Sequence, residues 1–89
     1  MTVNYSVIYL PQSEKFFKKA PRNISSHIFK NIAKVSLDPF APNNNLTKLK
    51  DPIEGYRLRV GDYRTIYILN KTKKQLIVVK IDHRSAIYR

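Results

Sequence analysis

The side chains best suited to chemistry are Arg57, Arg59 and Arg64, followed by His83, Arg84 and Tyr88, with Lys48 and Lys50 on the approach to them. All lie in the second half of the chain. They include no carboxylate pair, no serine or cysteine beside a histidine, no glycine-rich phosphate loop and no His or Asp spacing suited to a metal. Proteases, nucleotide-fold enzymes and metallonucleases therefore drop out, and no cofactor is called for. A set of cations with one histidine and tyrosines suits metal-free chemistry on a phosphodiester, most easily RNA. RNA carries its own nucleophile, the 2′-hydroxyl, so a protein need only orient the strand, stabilise charge on the phosphoryl oxygens and move protons. Arginine forks pair bidentately with phosphate oxygens and stay charged. They carry protons poorly, because a guanidinium titrates above about 12. A free histidine side chain titrates near 6.5, which makes His83 the natural proton shuttle. Tyr88 suits orienting the phosphate or stacking on a base.

The spacing of the first three arginines implies a hairpin. Tyr56, Leu58 and Val60 alternate at period two, which puts Arg57 and Arg59 together on the opposite face. With Gly61-Asp62 as the whole loop of a primed turn, Val60 faces Tyr63 and Arg59 lies across from Arg64. Two facing cations cost roughly 0.2 to 1 kcal/mol in a sheet that only has to fold. That local conflict marks a functional surface.

The elements that must hold these residues follow from periodicity and punctuation. Thr2 to Tyr9 alternates as a half-buried strand that Pro11 ends. Gln12 or Ser13 is expected to cap a short helix through Ala20, with Phe16 and Phe17 on its apolar side and Pro21 closing it or opening the next. Ile24, Ile28, Ile32 and Val35 form one apolar stripe of a second helix from about Asn23 to Leu37. Residues 38–55 read as a connector, rich in Pro and Asn. Strands are expected at Tyr56 to Val60, Tyr63 to Leu69 and Gln75 to Ile81, the last two joined by the polar turn Asn70 to Lys74. The fold class is α+β: two N-terminal helices on one face of a small, mostly antiparallel four-stranded sheet in the order β-α-α-β-β-β. The first strand can sit beside either the second or the fourth.

Length and charge narrow the partners. A chain of 89 residues without cysteine is one domain held by packing alone, compatible with a reducing cytoplasm. Met1 to Leu10 lacks a basic leader and a continuous apolar core, and no stretch approaches the roughly 20 apolar residues that span a bilayer, so neither a signal peptide nor a membrane is expected. The net charge of +11 calls for a polyanionic partner. Of 17 cations, 11 fall in residues 46–89, where basic residues alternate with aromatics, and this favours nucleic acid over a membrane surface.

Each reading has a plainer counterpart. The arginines alone could form a solvated sheet face with their stems over tyrosines. Tyr5, Tyr9, Tyr56 and Tyr67 fall on the apolar side of their strands and read as core. His27 reads as structural, Asp62 as shaping the hairpin turn, and Lys71, Lys73 and Lys74 as an ordinary exposed turn.

The stretch Lys48-Leu49-Lys50, the run from Tyr56 to Arg64 with Ile66-Tyr67, Asp82-His83-Arg84 and Ile87-Tyr88-Arg89 together resemble the RelE/ParE toxins of type II toxin–antitoxin systems, on the RelE side. The resemblance implies a compact sheet flanked by two helices. It implies an mRNA endonuclease that enters the ribosomal A site and cuts without metal through the 2′-hydroxyl, leaving a cyclic phosphate. It also implies contact with ribosomal RNA and a cognate antitoxin that silences the enzyme. Arg57 and Arg59 match the paired basic positions, Arg64 the arginine after the hairpin, and Arg84 and Tyr88 the arginine and tyrosine near the C-terminus. On that match Arg59 and Arg64 clamp the scissile phosphate, Arg84 stabilises it or the leaving group, Tyr88 orients it and His83 moves a proton, while Lys48, Lys50 and Arg57 hold RNA. The best-known member has lysines at the positions of Arg57 and Arg59. Some members use a glutamate base, for which no position here matches; Glu54 is the nearest carboxylate. Within the same family the ParE kind poisons DNA gyrase without catalysis, and a basic nucleic-acid-binding module is the third reading.

Overall fold

The apolar stripe of the second helix and the alternation of the C-terminal strands meet in a single core. In the computed structural model, which describes residues 4–49 and 55–83, the elements are β1 (Ser6–Tyr9), α1 (Pro11–Lys19), α2 (Arg22–Leu37), β2 (Leu46–Leu49), β3 (Gly55–Val60), β4 (Tyr63–Asn70) and β5 (Gln75–His83). Ile28, Ile32 and Val35 of α2 pack on Leu58, Val60, Tyr67, Leu76, Val78 and Ile81 of the sheet, with Tyr5 beside them. Each such side chain contributes about 1.5 to 3 kcal/mol by leaving water. Tyr9 and Tyr56 are partly buried against the same cluster.

The sheet has five strands in the order β1-β5-β4-β3-β2. β3, β4 and β5 form an antiparallel meander, and β1 returns beside β5 in parallel. The fifth strand is β2, inside the segment expected to be a connector. It pairs antiparallel with β3, placing Thr47 opposite Arg57 and Lys48 opposite Tyr56. Four residues between an Asn run and Asp51-Pro52 are too few to display a period, and this edge strand exists because β3 supplies a ladder for it. The Arg59 amide donates to the Asn45 carbonyl (2.8 Å), carrying that pairing into the loop.

The start of α1 also differs from expectation. Pro11 is its first residue and Leu10 its N-cap, with no side-chain cap. Gln12 and Ser13 are turned instead toward β5. The Ser13 hydroxyl, fully buried, donates to the Val78 carbonyl (3.1 Å). Gln12 Oε1 accepts from the Ile81 amide (3.0 Å) and its Nε2 donates to the Ile81 carbonyl (3.4 Å). β1 pairs with β5 only as far as Val78, so Gln12 takes over the ladder where β1 stops. Pro21 is the N-cap of α2, with the Ile24 and Ser25 amides donating to its carbonyl.

Strand β5 contains a bulge. Tyr67 pairs with Val78 but Ile66 pairs with Lys80, so Val79 is the extra residue. One inserted residue exchanges the faces of everything beyond it. Leu76 and Val78 point into the core before the bulge, and Ile81, fully buried, points into it afterwards.

Candidate nucleic-acid interface

The hairpin that carries the arginines is built around Gly61. Its φ of +60° suits glycine, and no non-glycine residue among those described other than Lys74 has a positive φ. A glycine with positive φ first and Asp62 with negative φ second is the pattern of a type II′ turn, which matches the twist of the flanking strands. Asp62 is thus a turn residue. The register that follows puts Val60 against Tyr63 and Arg59 against Arg64, as the spacing implied.

Arg57, Arg59 and Arg64 share a cleft of about 200 Å³ on the sheet face away from the helices, together with Asn44, Asn45 and Thr47. Arg59 is exposed and Arg57 half-buried, whereas Arg64 is only 8% exposed. Its Nη1 donates to its neighbour's carbonyl, Tyr63 O (3.3 Å). Across the next ladder Arg64 is in register with Asp82, so the row reads Arg59, Arg64, Asp82 over three strands. A nearly buried guanidinium with an exposed one directly across the ladder gives this cleft two planar forks of the kind that pair bidentately with phosphate oxygens. The cleft therefore suits a phosphodiester, with the amides and hydroxyl of Asn44, Asn45 and Thr47 at its rim to hydrogen-bond sugar or phosphate oxygens. These three residues were missed by sequence reasoning, because the Asn run was read only as turn-forming. Its side chains and β2 approach the arginines through the Asn45–Arg59 backbone bond.

The other site residues lie elsewhere. Lys48 is exposed and alternates away from Thr47, so it stands off the cleft. His83 is in register with Tyr63 and makes an edge-to-face contact with it (5.4 Å between ring centroids, 89°). Tyr63 belongs to the helix side of the sheet, where its ring meets Phe16 of α1 (5.5 Å). His83 and the arginine cleft are therefore on opposite faces at the same end of the sheet, and the Val79 bulge is the cause. Without it, period two from Val78 would carry His83 to the arginine face. Lys50, Arg84, Tyr88 and Glu54 lie outside the described residues. His27 is exposed on α2 beside Ile28.

The strongly shifted tyrosines belong to the core. Burial pushes the Tyr9 hydroxyl up to about 12, and burial together with the neighbouring Tyr56 pushes Tyr67 well above the usual tyrosine range. Neither is a base at neutral pH. Among the described residues no three His, Cys, Asp or Glu side chains are grouped to hold a metal ion, and no helix is long and apolar enough to cross a membrane.

Helices cover one face of the five-stranded sheet and a basic cleft lies on the other, and comparison with known proteins agrees with the family that the sequence resembles. The family model described as "ParE toxin of type II toxin-antitoxin system, parDE" matches residues 7–88. The chain belongs to the RelE/ParE superfamily and is a toxin of the type II toxin–antitoxin class. No curated protein matches it in sequence. Among solved structures it is similar to the archaeal RelE–RelB complex from Pyrococcus horikoshii OT3, at 25% identity over 91% of this chain and 96% of that one, with a TM-score of 0.78. The RelB–RelE antitoxin–toxin complex from Methanococcus jannaschii is also 25% identical over 91% and 94% of the two chains (TM-score 0.71). The intact E. coli RelBE complex shares the fold at 21% identity over 89% and 95% (TM-score 0.73).

Proposed function

We propose that this toxin is an endoribonuclease that cuts mRNA in the ribosomal A site. The observation that carries the reading is the convergence of Arg57, Arg59 and the buried Arg64 in one cleft. In the step proposed, the 2′-oxygen forms a bond to the adjacent phosphorus as its proton leaves, and the bond from phosphorus to the 5′-oxygen breaks as that oxygen takes up a proton. The products are a 2′,3′-cyclic phosphate and a 5′-hydroxyl. Arg59 and Arg64 hold the non-bridging oxygens and stabilise their growing charge, a role in which one lost donor typically costs about 100- to 1,000-fold in rate. Arg57 holds the flanking strand beside them; the sequence match gives Lys48 and Lys50 to RNA as well, and Lys48 would meet it only outside the cleft. The cleft is lined by arginines, asparagines and a threonine, with no histidine or carboxylate among them, so proton transfer falls to groups beyond it. The sequence match gives proton transfer to His83, the leaving group to Arg84 and orientation of the phosphate to Tyr88; because His83 stands on the face opposite Arg59 and Arg64, it can serve only a strand that rounds the end of the sheet. A cognate antitoxin is the second partner, acidic where it covers the arginine face; the Pyrococcus, Methanococcus and E. coli neighbours are each toxin–antitoxin complexes.

The test is to add the purified protein to translating ribosomes and map breaks in the message. Breaks that persist in EDTA and vanish with Arg59→Ala support the reading, and an intact message overturns it. The family description favours a second reading, inhibition of DNA gyrase. A supercoiling assay run alongside decides for it when supercoiling is blocked and the message stays whole.

A further inference from the structure

A second cleft opens on the helix side of the same end of the sheet. Its volume is about 430 Å³, and Lys15, Lys19, Phe16, Pro21, Tyr63 and Asp82 are among the residues lining it. That space is within the range of small-molecule sites. Its floor is aromatic: Phe16 and Tyr63 are half-buried and meet edge to face at 5.5 Å. Lys15 and Lys19 are both exposed, four residues apart on α1, and so on one side of that helix. The one anion in the lining, Asp82, accepts from Gln12 Nε2 (3.3 Å) and lies 3.9 Å from Lys80 Nζ.

From this we propose that the cleft is a second RNA subsite, taking the nucleotide that follows the strand around the hairpin, with its base on Tyr63 and Phe16 and its phosphate on Lys15 and Lys19. Half-exposed rings flanked by cations are how proteins hold single-stranded nucleic acid without reading sequence. Continuity with the arginine cleft is built in. Tyr63 precedes Arg64 in the chain, and the Val60–Tyr63 pair adjoins the Arg59–Arg64 pair on the ladder, the two pairs facing opposite sides. A strand clamped at Arg59 and Arg64 has only to pass the end of the sheet to reach Tyr63. The inference rests on the RNA-binding reading above, and it adds a residue pair and an aromatic floor which that reading does not use.

The test measures binding of a short fluorescein-labelled single-stranded oligoribonucleotide, and separately of vacant ribosomes, to the wild-type chain and to Lys15→Gln/Lys19→Gln, Tyr63→Leu, Tyr63→Phe and Arg59→Ala, with melting curves to verify folding. Tyr63→Leu is expected to weaken binding at least about 5-fold, as the loss of one stacked base does, and Tyr63→Phe to restore it. The double lysine variant is expected to make the dependence of log affinity on log salt shallower by about 1.4, the equivalent of two phosphates on a single strand. Weakening with the oligonucleotide assigns the subsite to the message strand; weakening with ribosomes alone assigns it to ribosomal RNA. Weakening by Arg59→Ala alone, in folded variants, overturns the inference and leaves the proposed function standing. RNA affinity unchanged in every variant overturns both.

Discussion

Arg59 and Arg64 stand directly opposite each other on adjacent strands, one in solvent and the other almost enclosed. The pair is asymmetric, and its two members should fail differently. Arg59→Ala removes a like-charge contact at the surface and is expected to leave stability unchanged or raise it by up to about 1 kcal/mol, while message cleavage falls about 100-fold or more. Arg64→Ala is expected to lower both. Arg64→Lys should not restore cleavage, because an ammonium cannot reproduce the fork. Urea melts beside cleavage rates check these outcomes.

Inorganic phosphate is expected to stabilise the wild-type protein, since an anion in the arginine cleft binds only the folded state. At 100 times its dissociation constant the gain is about 2.7 kcal/mol. The shift in melting temperature should shrink in Arg59→Ala and be absent with an equal ionic strength of sodium chloride.

Tyr67 offers a test of the core. Its hydroxyl is buried with no hydrogen-bond partner among the described residues, so Tyr67→Phe is expected to be neutral or stabilising by about 1 kcal/mol near pH 7. Tyr9 and Tyr67 are both held neutral by burial, with hydroxyls raised above an ordinary value of 10.0. The unfolded chain therefore loses these protons first as pH rises. Their contribution is fully present below about pH 10 and is lost progressively above it, with Tyr9 reaching its folded value at about 12. Melting temperatures from pH 7 to 11 should be flat and then fall, and the fall should be smaller in Tyr67→Phe.

At Gly61 an added Cβ would meet nothing within 4 Å, so Gly61→Ala tests backbone conformation alone. The expected loss is about 1 to 2 kcal/mol, with Gly61→Asn losing less, since asparagine tolerates positive φ. Denaturant midpoints of the two variants measure the difference.

Much of this molecule was readable from its residues. Gly61-Asp62 with Val60 and Tyr63 fixed the hairpin and the facing arginines, and the spacing of Ile24, Ile28, Ile32 and Val35 located α2. What escaped was set by partners distant in the chain. Leu46–Leu49 is a strand only because β3 offers it a ladder, and Gln12 and Ser13 leave the capping role because β5 presents them with Val78 and Ile81. His83 was placed with the arginines on chemistry and on resemblance; its face depends on Val79, an apolar residue among apolar neighbours whose extra position shows in no local pattern.

That bulge has a bearing on how relatives are aligned. Strand β5 changes parity along its length, with its inward side chains at even numbers up to Val78 and at odd numbers from Ile81. A motif match that runs ungapped through Asp82-His83-Arg84 compares residue types but not sides of the sheet. In a member whose β5 runs regularly, the side chain aligned with His83 would lie on the arginine face of the sheet instead of the helix face. Two toxins with the same letters in that stretch can thus present different groups to the phosphate, and bulge position is the character to compare first when a proton carrier is assigned across the superfamily.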